Sequence, residues 1–522
     1  MKAPPEPGKE RPKIVVVGLD GASWDVIHPL VCEGKLPTFK TLLNQGSSAH
    51  MQSSLPYVTF PAWKCYSTGK NPGKLGVFWF ARVDFNSKRI VPHNSFDFES
   101  RELWDYLTDF GYTCGVINMP TTFPPKKVKG FMISGPPIPE EKGFTYPADL
   151  EKILKKKYNY RVNSDPARFI LQEHPDIEHI EELIDMRIAV TMDFIHDVDF
   201  LHTTVFYLDS AQHFYWHEKD VLSHIYQKID SFLGKIIKEI GDKSYLFLVS
   251  DHGFGTQRAI FYLNEWLATK GYLVKKGNIR TFLPAVLPSR QQMIKGARAT
   301  GVIQVLPKIV PKPLLNRLLN LFPREGKFTV GTAVEDYIDW EKTVALAVHS
   351  LIYMNKRIGG GEYSQVQDQL MKELKTLVDP HNNACIQDVL KCSQIYHGDY
   401  VDYGPDLAVQ LRDDYEVNHA VFHTTPEIWR TVKKGNHRRT GIFLACGPGI
   451  KRSETALDIY DVAPTILHIC GVPIPEDIDG RVVKEIFADD SELARREIVS
   501  QPMDEKEKIK KKIEAMRKMG YI

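Results

Sequence analysis

Three short, strongly apolar runs along the chain each end on an aspartate. Residues 14–19 (IVVVGL) lead to Asp20, residues 202–208 (HTTVFYL) to Asp209, and residues 245–250 (YLFLVS) to Asp251. Continuous apolar runs of this length suit strands buried on both faces, as in a parallel sheet. Between them the period changes to that of a helix over 177–196 and over 221–240, where Ile225, Ile229, Phe232, Leu233 and Ile236 form one stripe. Alternating strands and helices predict an α/β fold with a mostly parallel central sheet flanked by helices. In open sheets of this kind ligands bind beyond the carboxyl ends of the strands, the edge to which all three aspartates are delivered.

The pattern weakens in two places that read as insertions. Residues 130–176 are rich in Pro, Lys and Glu. From Leu267 through Arg324 there is no Asp or Glu but eleven Lys or Arg, and Pro284, Pro288, Pro307, Pro311 and Pro313 divide the stretch into short segments. Residues 271–330 are therefore predicted to form a basic helical cap over a discontinuous core of residues 1–270 and 331–490. Strands are expected at 407–411 and 441–445, and a helix at 459–469. Residues 491–522 form a charged tail, whose segment 505–519 (EKEKIKKKIEAMRKM) reads as a solvated helix.

Composition narrows the function classes. A net charge of +2 over 522 residues argues against a protein built around nucleic acid, so no stable nucleic-acid complex is expected. No run approaches the roughly 18 uncharged apolar residues of a membrane span. The first residues, MKAPPEPGKERPK, carry prolines and charges where a signal peptide needs an apolar stretch. The seven cysteines are widely spread with no C-x-x-C pair, which suits small core residues in a reducing, cytoplasmic setting.

Candidate chemistry lies at the strand ends. Asp251-His252-Gly253 follows a buried strand and offers a carboxylate and an imidazole, good ligands for zinc or manganese, with Gly253 allowing a sharp turn. If a helix follows Asp209, His213 lies on its face four residues on, and the two form a chelating pair; His217 continues that face as a weaker candidate. His437, in KKGNHRRTG, precedes a strand in polar and glycine-rich surroundings. Asp20-Gly21 closes the first strand. Thr59 lies in a loop stiffened by Pro56 and Pro61. Each alone has an ordinary explanation: a turn, a helix cap, a packed histidine. Together they make two ligand sets. Asp20, Asp251, His252 and the Thr59 oxygen would hold one divalent metal; Asp209, His213 and His437 would hold a second. Zinc is the first candidate, with manganese or iron as alternatives. A metal beside Thr59 would turn a poor hydroxyl nucleophile into a useful one.

The order of these segments resembles the alkaline phosphatase superfamily, and especially its type I phosphodiesterase/nucleotide pyrophosphatase branch. The resemblance is carried by VVVGLDGASWDVI, GKLPTFKTLLNQGS, the T-F-P loop followed by STGKNPG, the D-x-x-x-H, the D-H-G, the late G-x-H and the closing DIYDVAPTILHICGVPIPEDIDGR. It spans residues 14–481 apart from the two insertions. It implies an alkaline-phosphatase-like two-metal core in which Thr59 is transiently phosphorylated or nucleotidylated and then released by water. The substrate would be a phosphoester, a nucleotide or a lipid or glycan headgroup, with the basic cap facing its negative charge. Nucleotide-cleaving members often carry Asn three residues after the threonine, helping to hold the phosphate; here that position is Ala62, followed by Trp63, and Lys64 is the candidate to supply positive charge instead. Many relatives also have a histidine where this chain has Leu75.

Other readings remain within and outside that superfamily. Phosphoglycerate mutases use a serine nucleophile, and sulfatases a modifiable Cys or Ser at a position from which Cys65 is too distant. Phosphomonoester hydrolysis or phosphotransfer to an acceptor other than water stays open. A non-catalytic protein whose basic segment docks on an anionic surface through Lys308, Lys312 and Arg317 is the alternative from another class.

Overall fold

The computed structural model describes residues 11–98, 100–165, 176–276, 334–357, 360–421, 427–502 and 513. Its centre is a nine-stranded sheet. The strands are β1 (Ile14–Leu19), β2 (Ser47–Gln52), β3 (Cys114–Ile117), β4 (Gly130–Ile133), β5 (Thr145–Tyr146), β6 (Phe200–Val205), β7 (Tyr245–Val249), β8 (Thr440–Cys446) and β9 (Ser453–Asp458), in the spatial order β9-β2-β8-β7-β1-β6-β3-β4-β5. The run β7-β1-β6-β3-β4 is parallel throughout, whereas β8 pairs antiparallel with both β7 and β2.

The central position of β1 explains its composition. All six residues are buried, and successive side chains enter opposite cores. Val15, Val17 and Leu19 pack with the helices Ile177–Phe194, Tyr207–Tyr215 and Lys219–Ile240. Ile14 and Val16 pack on the other face with the helices Thr59–Thr68, Leu103–Asp109 and Val462–Ile469. The stripe of the helix Lys219–Ile240 is buried as its period requires. On the same helix Asp230 accepts hydrogen bonds from the Thr38 and Phe39 amides at 3.1 and 2.8 Å, satisfying the first turn of the neighbouring helix Pro37–Gln45.

A separate four-stranded sheet, ordered Ala345–Val348, Leu351–Met354, Leu407–Leu411, Ile386–Lys391, has its own apolar core. A long antiparallel ribbon, Gly253–Tyr262 with Trp429–Arg438, leaves the carboxyl edge of the central sheet.

The α/β class and the mostly parallel sheet are as the sequence predicts. Several boundaries differ. The segment 130–176 is not wholly an insertion, since it begins with β4 and β5 of the central sheet. The expected strand 407–411 forms, but in the satellite sheet. The run 202–208 does not stay extended to Asp209, because helix Tyr207–Tyr215 begins first. The cap of residues 271–330 lies outside the described residues from 277 onward, as does the charged helix of the tail except Ile513. Among the described residues no helix is long and apolar enough to cross a membrane.

Candidate metal centre and nucleophile

Each element delivers its polar residue to one point at the carboxyl edge of the sheet. Asp20 follows β1 and Asp251 follows β7, the neighbouring parallel strand. Gly21 has φ +70°, and its amide donates to Asp251 Oδ1 at 3.2 Å. A Cβ there would meet Gln212 Nε2 and Phe254 at 3.0 Å, so both backbone conformation and space select glycine. Asp209 occupies the first turn of its helix, which places His213 four residues on, on the same face, with Nε2 3.5 Å from Asp209 Oδ1. His437 precedes β8 as expected, and it also lies within a strand of its own, Trp429–Arg438. It faces Phe254 across the ribbon, and that register swings it over the site. Gly253 serves close packing rather than a turn, because a Cβ would lie 2.0 Å from the Thr440 carbonyl oxygen.

Thr59 starts a helix instead of sitting in a loop. Val58 is its N-cap, and Pro61 falls in the first turn, where a missing N–H is tolerated. The Thr59 hydroxyl lies 3.3 Å from His252 Nε2. The same nitrogen is 3.1 Å from Asp251 Oδ2 and 3.7 Å from Asp20 Oδ1. On the other side, His437 Nε2 is 3.0 Å from His213 Nε2 and 3.2 Å from Asp209 Oδ1. All seven predicted residues therefore meet in one cluster. Two overlapping sets have metal-ligand spacing, Asp209–His213–His437 and Asp20–Asp209–His252, so Asp209 belongs to both. His217 lies past the helix end and is exposed.

The hydrogen bonding of this cluster fits divalent cations. Nδ1 of His213, His252 and His437 faces the carbonyl oxygens of Gly435, Gly253 and Tyr57 at 3.1, 3.1 and 3.4 Å. A proton on each Nδ1 turns every Nε2 lone pair toward the centre, the tautomer a metal ligand needs. Asp20 Oδ1 and Asp251 Oδ2 are buried and have no hydrogen-bond partner. Burial raises the Asp20 carboxyl well above its usual range, and the neighbouring Asp251 and Asp209 add to this. Burial likewise pushes Asp251 up to about 7, with His437 opposing and Asp209 reinforcing the shift. Burial would also raise Asp209, but His213, His437 and His252 outweigh it and hold that carboxyl down. Burial depresses His252 well below its ordinary value and lowers His213. Three buried carboxylates with lone-pair imidazoles are stable together when cations neutralise them.

Two supporting residues were not singled out as such by sequence. Trp63 sits four residues after Thr59, on the same helix face, and its indole donates to Asp20 Oδ2 at 3.0 Å. Gln212, next to His213, donates to the Gly21 carbonyl at 2.8 Å and accepts from the Tyr226 hydroxyl at 2.9 Å. Lys64 does not replace the expected Asn. It is fully buried and pairs with Glu102 at 2.7 Å, on the far side of the helix from the cluster.

Comparison with known proteins bears on the fold and the family. No curated protein sequence matches the chain. Among solved structures, murine ectonucleotide pyrophosphatase/phosphodiesterase 5 is 13% identical with a TM-score of 0.52, covering 91% of this chain and 100% of its own. An inactive threonine-to-alanine variant of that protein in complex with AMP gives a TM-score of 0.53 at the same identity and coverage. Phosphonoacetate hydrolase from Sinorhizobium meliloti 1021, in complex with phosphonoformate, is 12% identical with a TM-score of 0.52, covering 89% of this chain and 98% of its own. At these identities the likeness is one of fold. A family profile, type I phosphodiesterase/nucleotide pyrophosphatase, matches residues 14–417. That span takes in the helix that begins at Thr59 and six of the seven clustered residues, so the chain belongs to the type I phosphodiesterase/nucleotide pyrophosphatase family and is a phosphoester hydrolase.

Proposed function

We propose that the chain cleaves phosphodiesters by transient phosphorylation of Thr59, at a two-metal site formed by Asp20, Asp209, His213, Asp251, His252 and His437. The observation that carries this reading is the Thr59 hydroxyl at the start of a helix, 3.3 Å from the Nε2 of a buried histidine whose other neighbours are unpartnered carboxylate oxygens. When bound, the divalent cations supply the Lewis acidity that activates the hydroxyl and the positive charge the phosphate needs, since Trp63 and Lys64 are committed to Asp20 and Glu102. Thr59 Oγ bonds to phosphorus as the departing alcohol's oxygen leaves from the opposite side. Water then attacks the same phosphorus and the Thr59 hydroxyl is regenerated. Of the first-turn positions, Pro61 has no amide and the Ala62 amide bonds the Val58 carbonyl, so the N–H groups of Thr59 and Phe60 are those that would add partial positive charge at the phosphate. His and Asp donors favour zinc, with manganese or iron as the alternatives.

The AMP complex of the murine relative's inactive variant makes nucleoside phosphodiesters natural first substrates. A cytoplasmic setting is part of the proposal and rests on seven cysteines that form no disulfide. The deciding experiment is Thr59→Ala assayed on bis(p-nitrophenyl) phosphate with the bound metal quantified in the same sample. We expect kcat/KM to fall by about a thousandfold or more with metal content retained. Full activity in the variant removes Thr59 from the chemistry.

A further inference from the structure

Beside the metal cluster lies a cleft. Leu55, Pro56 and Tyr57 line one side of it and lead into the helix Thr59–Thr68, while the satellite sheet lines the other through His349, Ser350 and the strand Leu407–Leu411. His437, a candidate metal ligand, is also among its lining residues. An organic group carried by a phosphate at the metal cluster would extend into this cleft.

His349 has an unusual local structure there. It is the first residue of the two-residue turn joining Ala345–Val348 to Leu351–Met354, and its φ is +53°. Glycine or asparagine ordinarily takes such a position. Here a histidine does, and its ring is held: it stacks on Trp79 with ring centres 4.2 Å apart and an interplanar angle of 11°. Nδ1 lies 3.2 Å from the Ser350 hydroxyl. Ser350 is buried, and the imidazole is the one partner its hydroxyl has among the described residues. The hydroxyl proton therefore goes to Nδ1, because a proton on Nδ1 would leave a buried hydroxyl with nothing to donate to. Burial, with His419 and His437 adding to it, keeps His349 well below its ordinary pKa, so the ring is neutral. A neutral ring that accepts on Nδ1 carries its proton on Nε2. Nε2 has no partner among the described residues and is not sealed inside the protein. It is a fixed donor open to the cleft.

We infer that His349 positions the substrate by donating its Nε2–H to an uncharged oxygen of the organic substituent seated in the cleft. This role rests on the phosphodiesterase reading above and narrows it to alcohols that carry a second oxygen, as a hydroxyl, ether or carbonyl. A sugar or a nucleoside satisfies the rule, whereas a plain alkyl chain does not. A half-buried donor discriminates against a group without an acceptor, since seating that group takes water from the donor and returns no hydrogen bond.

The test uses pairs of p-nitrophenyl phosphodiesters equal in chain length and charge: 2-methoxyethyl against n-butyl, and 3-methoxypropyl against n-pentyl. With the metal-loaded full chain, kcat/KM should favour the ether in at least one pair by roughly three- to tenfold, the worth of one hydrogen bond between neutral groups. His349→Phe keeps a ring for Trp79 and removes the donor, so the ratio should fall to about one. His349→Gly removes the donor in a residue that suits the positive φ, and it gives the same reading should the Phe variant fold poorly. Because each ratio is taken within one variant, a general loss of activity cancels, and a purely structural His349 would leave the ratio unchanged. No preference in either pair, or a preference that survives in the folded variant, overturns the inference while leaving phosphodiester cleavage intact. Failure to turn over these esters and bis(p-nitrophenyl) phosphate overturns both.

Discussion

The helix Thr59–Thr68 is flanked by buried polar groups at its start and further along its length, and the two regions are built on opposite plans. Beyond the first turn every partner is supplied by the protein. Lys64 donates to Glu102 at 2.7 Å, Ser67 donates to the same carboxylate at 2.9 Å, and the Lys64 ammonium also lies 4.8 Å from the Phe98 ring centre. His202 has the Tyr66 hydroxyl at 3.0 Å on Nδ1 and the Thr204 hydroxyl at 2.8 Å on Nε2. At the first turn, two carboxylate oxygens have no hydrogen-bond partner and three imidazole Nε2 atoms converge. Both regions are buried and both contain histidine and carboxylate. What separates structure from chemistry is whether the protein itself completes the hydrogen bonding.

The sharpest way to break this comparison is to remove metal. Chelation should abolish phosphodiester cleavage, at least about a thousandfold, because Asp20 Oδ1 and Asp251 Oδ2 have no hydrogen-bond partner in the protein to stand in for a cation. It should also lower thermal stability. A cation present at a thousand times its Kd contributes about 4 kcal/mol to the folded state. Metal analysis alongside calorimetric melting checks both outcomes. A chelated protein that keeps its activity and its Tm would mean that the first-turn cluster is as self-sufficient as the rest.

The converse change acts on the satisfied region. Lys64→Met leaves Glu102 buried without its cation, and breaking such a pair by removing one partner costs about 3–5 kcal/mol. Chemical denaturation should show that loss, while metal content and kcat per folded molecule stay at the wild-type level. A collapse of kcat with stability preserved would instead place Lys64 in the chemistry, as its proximity to Thr59 in sequence first suggests.

The same division marks how far the site can be read from sequence. Asp20, Asp251 and His252 follow apolar runs whose length and β-branching fix them at the sheet edge, and Asp209 with His213 needs only helical spacing. His437 belongs to no such local pattern. It reaches the site through the register of the ribbon Gly253–Tyr262 with Trp429–Arg438, a pairing across more than 170 residues that no local period encodes. Lys64 departs from its expected role for a related reason: its partner Glu102 is distant in sequence, and a lysine just past the candidate nucleophile has no local signal that it is already paired. The satellite sheet has no local signature either, because Leu407–Leu411 has the composition of any buried strand and only tertiary pairing assigns it to that sheet.

The effect that is smallest near neutral pH concerns His202, the satisfied counterpart of His252. Burial lowers its pKa to about 3, against about 6.5 for an exposed imidazole. The unfolded chain therefore binds a proton between those values that the folded chain refuses. The sign follows: His202 leaves stability intact above about pH 6.5 and lowers it progressively as pH falls toward 3, by up to about 1.4 kcal/mol per pH unit. His202→Gln keeps a polar side chain and removes the titration. The difference between wild-type and variant stabilities, from urea melts of metal-loaded protein, should be flat above pH 6.5 and slope below it. A difference that is flat throughout would mean that the folded protein accepts the proton, and that the pocket formed by Tyr66 and Thr204 opens to admit it. His202 would then resemble the metal cluster in leaving a nitrogen available, and hydrogen-bond completion would no longer separate the two regions of the helix.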